Sequence, residues 1–176
     1  MDWSKADLDT VREIIREAEG YLQSQLSLAL AADQRASTMA SLFTAAGAAI
    51  VAGLIGLAAS EHHDGQAPLY VGGIVATGLF IVAASLCIWS TWPVSFAVPG
   101  NEPESWYEDI GGPREFKLLL GEQAENYQKK IARNNETLRL NARRFALGAL
   151  FGIASAPAGF VTWKVADVLS ALPGWS

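Results

Sequence analysis

Three stretches of the chain carry no Asp, Glu, Lys, Arg or His: residues 36–60, 68–100 and 145–163. A helix rises about 1.5 Å per residue and a bilayer core is about 30 Å thick, so roughly 20 apolar residues cross it. The pattern therefore predicts membrane-spanning helices over 36–60, 68–92 and 145–164. Water-soluble helices of this length keep a polar face, and these runs have none. Ahead of the first run, Leu8, Val11, Ile15, Ala18 and Leu22 recur at three- and four-residue spacing in a charged segment. That is the signature of an amphipathic helix over 1–35, with Asp2 or Ser4 as its cap and Asp7, Asp9 and Glu13 complementing its dipole. Nothing between Tyr21 and Ser37 breaks the periodicity, so this helix is expected to run on into the first span.

Past the second span, Pro93, Pro99, Gly100 and Pro103 make the chain irregular, and Gly111-Gly112-Pro113 closes the loop. An apolar stripe follows on Phe116, Leu120, Ala124, Tyr127, Ile131, Leu138, Ala142 and Phe145. No proline lies between Arg114 and Ala156, so this helix too should enter its span unbroken. The polar turn at 61–68 makes an antiparallel hairpin of the first two spans. The fold class expected is an all-α membrane protein. Its three transmembrane helices include two long ones, extended into a cytoplasmic stalk.

Charge sets the orientation. The chain has 13 Lys and Arg, of which Lys5, Arg12, Arg16 and Arg35 precede the first span. Eight more, from Arg114 to Arg144, lie between the second and third spans; only Lys164 lies beyond. The positive-inside rule puts 1–35 and the 93–144 loop and helix in the cytoplasm, and the 61–67 turn and the 165–176 tail outside. Trp89 and Trp92 suit one interface, Trp163 and Trp175 the other. The first run follows an acidic helical segment, unlike a signal peptide. The net charge of −5 argues against binding nucleic-acid duplexes, and the single Cys87 offers no disulfide framework.

Residues with chemical potential are few. Adjacent His62 and His63 do not share a helix face, and a metal site needs three or four convergent ligands. No phosphate loop, nucleophile elbow or Cys/His cluster occurs, so neither an enzyme nor a cofactor or metal is expected. Ser37, Ser41, Ala45, Ala49 and Gly53 form a small-residue spine spaced by four. Gly148-xxx-Gly152, then Ala156, does the same in the third span. Such faces admit close helix packing, within one chain or between copies. Ser41, Thr44, Thr77 and Ser85 are candidate pore-lining hydroxyls, or bond their own backbone. Pro157 frees the carbonyl of Ile153, as a kink or a hinge. Asp33 can pair with Arg143 or Arg144, or anchor at the interface alone. Arg35, Arg139, Arg143 and Arg144 suit an anionic leaflet or a ligand phosphate.

The stretch Ala32-Asp33-Gln34-Arg35-Ala36-Ser37 resembles the Ala-Asp-x-Lys-Ala motif of the Pycsar effector transmembrane proteins, with Arg35 in place of the commoner lysine. Trp106-Tyr107-Glu108-Asp109-Ile110 is similar to the aromatic-acidic stretch that family carries after its second span. The order of a leading helix, two spans, a cytoplasmic segment and a third span is similar too. A tyrosine-rich or aromatic ligand pocket is not evident. The resemblance implies a bacterial antiphage effector of the inner membrane. Such a protein would answer a cyclic nucleotide from a partner cyclase, form a homo-oligomer, and permeabilise or depolarise the bilayer. A non-conducting anchor or regulator of a cytoplasmic partner and a holin-like pore remain the alternatives.

Overall fold

The computed structural model describes residues 2–60, 66–107, 112 and 115–172. They are almost entirely helical: α1 is Leu8–Ala58, α2 is Ala67–Ser90 and α3 is Phe116–Ser170. Short 3-10 turns cover Trp3–Lys5 and Pro103–Trp106. At 51 and 55 residues, α1 and α3 are well over twice as long as the roughly 20 residues a bilayer crossing needs. The 24 residues of α2 correspond to about 36 Å, one crossing. Both long helices continue unbroken into their apolar runs, and α3 passes through Pro157 and on to Ser170.

The start of α1 corrects the capping expectation. Asp7 is the cap, its Oδ1 accepting the Thr10 backbone N–H at 2.6 Å, whereas Asp2 adjoins the preceding 3-10 turn. Those hydrogen bonds from Thr10 hold the Asp7 carboxyl below its ordinary range. Pro68 sits in the first turn of α2, where a missing N–H costs nothing. Its last turn is closed by hydroxyls: Ser90 Oγ donates to the Cys87 carbonyl and Thr91 Oγ1 to that of Ile88. Pro93 then prevents continuation.

The chain divides into two compact units, Met1–Ala32 with Pro93–Arg139, and Asp33–Trp92 with Leu140–Ser176. The first is amphipathic. Val11 and Leu22 are fully buried, and Leu119, Leu120, Ala124 and Tyr127 are buried too. Trp3 lies over Gly121 and donates its indole N–H to Glu125 at 3.0 Å.

The second unit holds all three predicted spans, 36–60, 68–92 and 145–164. Its core gathers Ala40, Phe43, Ala83, Ala84 and Cys87, with Phe43 and Phe80 in tilted contact at 6.0 Å. Its surface is apolar: Ile153 is 71% exposed, Ile55 65% and Ile74 64%. Water-soluble monomers rarely expose so many large aliphatic side chains together. Three helices long and apolar enough to cross a membrane, with apolar side chains turned outward, make this a multi-pass membrane protein.

Candidate functional site: the helix faces of the apolar unit

Glycines set the packing of α2 on α3. A Cβ on Gly72 would lie 2.6 Å from the Gly159 carbonyl oxygen, and one on Gly159 would lie 2.9 Å from that of Gly72. Farther along, a Cβ on Gly148 would meet Cys87 Sγ at 2.9 Å and the Ala83 carbonyl at 3.0 Å. One on Gly152 would overlap the Phe43 ring of α1. Gly148-xxx-Gly152 is therefore a contact face inside the chain. Ser155, buried beside it, turns its hydroxyl back onto the Gly152 carbonyl at 2.6 Å. Ala156 and Pro157, by contrast, are exposed.

The spine of the first span behaves oppositely. The covered positions of α1 in this unit are Ala36, Ala40, Phe43 and Gly47, whereas Ser37, Ser41, Thr44, Ala45, Ala49 and Gly53 are all exposed. A Cβ built on Gly53 meets nothing within 4 Å. Ser41 donates to the Ser37 carbonyl at 3.0 Å and Thr44 to that of Ala40 at 2.8 Å. The two hydroxyls are thus satisfied within their own helix. Thr77 differs, its Oγ1 being buried without an acceptor, and Ser85 is exposed.

Where α1 and α3 become apolar, the charges are arranged otherwise than as a bridge. Asp33 makes no ion pair with Arg143 or Arg144, and desolvation raises its carboxyl above the ordinary range. The reason is register. Arg144 lies one turn before Gly148, on the face of α3 that packs against α2. Its guanidinium accordingly stacks on Trp89 at 4.7 Å and donates to Asn141 at 3.3 Å. Arg143 lies off that face and is exposed, as is Arg35. Arg139, in the amphipathic unit, is exposed too.

The amphipathic unit contains polar residues that sequence reasoning passed over. Asn134, 1% exposed, accepts the Ala97 N–H at 3.0 Å and donates to the Ala97 carbonyl at 2.9 Å and Gln25 Oε1 at 3.1 Å. Gln25 donates in turn to Asn135 Oδ1 at 2.8 Å and the Ile131 carbonyl at 3.2 Å. Tyr127 donates to Glu19 at 2.7 Å and accepts the Gly100 N–H at 3.1 Å, with Lys130 over its ring and bonded to the Gly100 carbonyl. Burial, then Glu19, pushes the Tyr127 phenol up. Side chains of α3 thus hold the segment after α2 against the helix. The signal was available in the sequence: Gln25 continues the stripe of Val11, Ala18 and Leu22, and Asn134 fills the stripe between Tyr127 and Leu138.

His62, His63, Glu108, Asp109, Ile110 and Trp175 lie outside the described residues. Trp106 closes a 3-10 turn and Tyr107 is 71% exposed. Comparison with family models, characterised proteins and solved structures finds no match.

Proposed function

We propose that this chain is a non-enzymatic membrane effector. Copies associate through the bare face of the first span and open a conductive path when a nucleotide signal reaches the amphipathic unit. One observation carries the reading. The small-residue face of α1 is uncovered along its length, while the glycine faces of α2 and α3 are consumed inside the chain. Helices without side-chain bulk associate closely in lipid, through packing rather than any hydrophobic drive. The same geometry supports a path built between copies. Within one chain, α2 and α3 approach too closely for even a methyl group at Gly72, Gly148 and Gly159, which closes a path at those contacts.

The cytoplasmic placement of the amphipathic unit rests on the distribution of Lys and Arg. The antiphage role, the bacterial inner membrane and the cyclic nucleotide rest on the resemblance at 32–37 and 106–110. In this reading Arg35, Arg139 and Arg143 face leaflet phosphates, Arg144 is held by Trp89, and the signal acts by favouring one arrangement of the helices.

The test is ion flux from liposomes carrying the full chain, with and without cyclic nucleotides, alongside its assembly size. Nucleotide-dependent flux that disappears in Ala49→Leu, with helicity intact, is the expected result. Because Ala49 is exposed on the uncovered face of α1, the loss would belong to contacts between copies. Flux without nucleotide favours the holin-like alternative. Intact assembly without flux favours a non-conducting anchor or regulator of a cytoplasmic partner.

A further inference from the structure

A groove of about 510 Å³ runs between the three helices at the end of the apolar unit where α1 stops and α2 starts. Its volume falls within the roughly 300–1,000 Å³ of ligand clefts. Gly53, Gly73 and Gly159 deepen it, and Leu57, Phe160 and Trp163 wall it, so its lining is almost wholly apolar. The last two rings meet edge to face at 5.5 Å. Just beyond stands the chain's one basic residue after Arg144. Lys164 Nζ lies 4.3 Å from the Trp163 ring centroid and 3.9 Å from Asp167 Oδ2, both side chains half exposed.

We propose that this groove is a phospholipid site: it takes one acyl chain, and Lys164 with Asp167 receives a phosphoethanolamine headgroup. Three observations point that way. The groove is cut into helices that cross a bilayer, so its neighbours are acyl chains, and a flexible tail follows a channel deepened by missing side chains. Among the described residues, its charged flank on α3 carries a cation and an anion one helical turn apart. A zwitterionic headgroup satisfies both, phosphate on Lys164 and ammonium on Asp167, whereas a glycerol headgroup leaves Asp167 unmatched. The existing pair is long and half solvated, so both partners are available to a headgroup. Aromatic residues at the rim suit the level where tail meets headgroup. Apolar transfer gives no selectivity in lipid, so retention rests on packing and headgroup pairing. The site stands independently of whether the protein conducts.

The experiment places the full chain in nanodiscs of phosphatidylethanolamine and phosphatidylglycerol. A trace of either lipid carries a photoactivatable group in its acyl chain, and adducts are mapped by mass spectrometry. The ethanolamine probe should concentrate on the groove. Ala156→Leu fills the groove from an exposed position and should reduce that labelling several-fold, whereas Ala154→Leu, exposed but off the groove, should not. Lys164→Gln leaves the groove open, so tail labelling should persist while the preference for ethanolamine over glycerol disappears. Circular dichroism checks that each variant keeps its helices. Equal labelling of the groove and of exposed positions such as Ile74 and Ile153 would overturn the site, as would adducts joining the groove to a second copy. An Lys164→Gln variant with unchanged preference would overturn the headgroup assignment.

Discussion

Asn134→Ala should loosen the segment that follows α2 without unfolding the bundle. The side chain makes three hydrogen bonds, two to the Ala97 backbone and one to Gln25. Each is worth about 0.5–1.5 kcal/mol net, which bounds the loss at about 1.5–4.5 kcal/mol. Ala97 is only half buried, so water can replace part of what its N–H and carbonyl lose, while Gln25, 5% exposed, has less access to water. The expected cost is therefore about 2–3 kcal/mol, in the middle of that range. Asn135→Ala removes one bond to Gln25 from an exposed position and should cost about 1 kcal/mol or less. Hydrogen exchange on the full chain in nanodiscs, read peptide by peptide, is the assay. Residues 95–101 should lose protection by one to two orders of magnitude in Asn134→Ala, with 36–58 unchanged. Equal protection in wild type and variant would mean that the backbone, not Asn134, holds this segment.

Gly72→Ala sets a methyl against a backbone oxygen and should cost about 1–3 kcal/mol by overpacking, seen as a lowered thermal midpoint in detergent. Gly56→Ala, with open space around it, should leave that midpoint unchanged or raised. Asp33 has a folded pKa raised by desolvation, so its contribution is full below the unfolded pKa and falls as pH rises through the folded one. Asp33→Asn should thus hold or gain stability at pH 7; a clear loss would reveal a partner for the charge. Asp7 has the opposite sign: its depressed pKa means the cap is intact above the ordinary carboxylate range and lost as pH falls through the folded value. Protection of the first turn of α1, relative to the intrinsic exchange rate at each pH, should fall in acid, and Asp7→Ala should abolish that pH dependence. A reporter active only outside the cytoplasm should work at Gly65 or after Ser176 and fail at Gly100.

The helices were legible because their causes are local. Absence of charge marks a bilayer crossing, and unbroken three-four periodicity carried α1 and α3 across the change from amphipathic to apolar. The cap was misplaced because Asp2, Ser4 and Asp7 are equivalent by residue type; only the 3-10 turn at Trp3–Lys5 decides among them. Small-residue spacing picked out two faces, of which Gly148-xxx-Gly152 packs inside the chain and the Ser37–Gly53 spine is left uncovered. Which of them meets another helix depends on rotation about the axis, fixed here by Phe43 against Gly152. Of the two readings open for Asp33, a bridge to Arg143 or Arg144 or anchoring alone, the structure contains no bridge, since shared depth says nothing of shared face. The buried amides of Gln25 and Asn134 were missed because stripes were traced through apolar residues alone. A polar residue in register on such a stripe is itself the sign of a buried bond.

Association through the first span is tested most directly by cysteine scanning of exposed positions in membranes, with Cys87 replaced by alanine. Single cysteines at Ser41, Ala45 and Ala49 should form crosslinked dimers on oxidation, while Leu42, Ile74 and Ile153 should not, giving a four-residue period along α1. Crosslinking with no period, or strongest at Ile74 and Ile153, would contradict a bare face on the first span that receives its own copy.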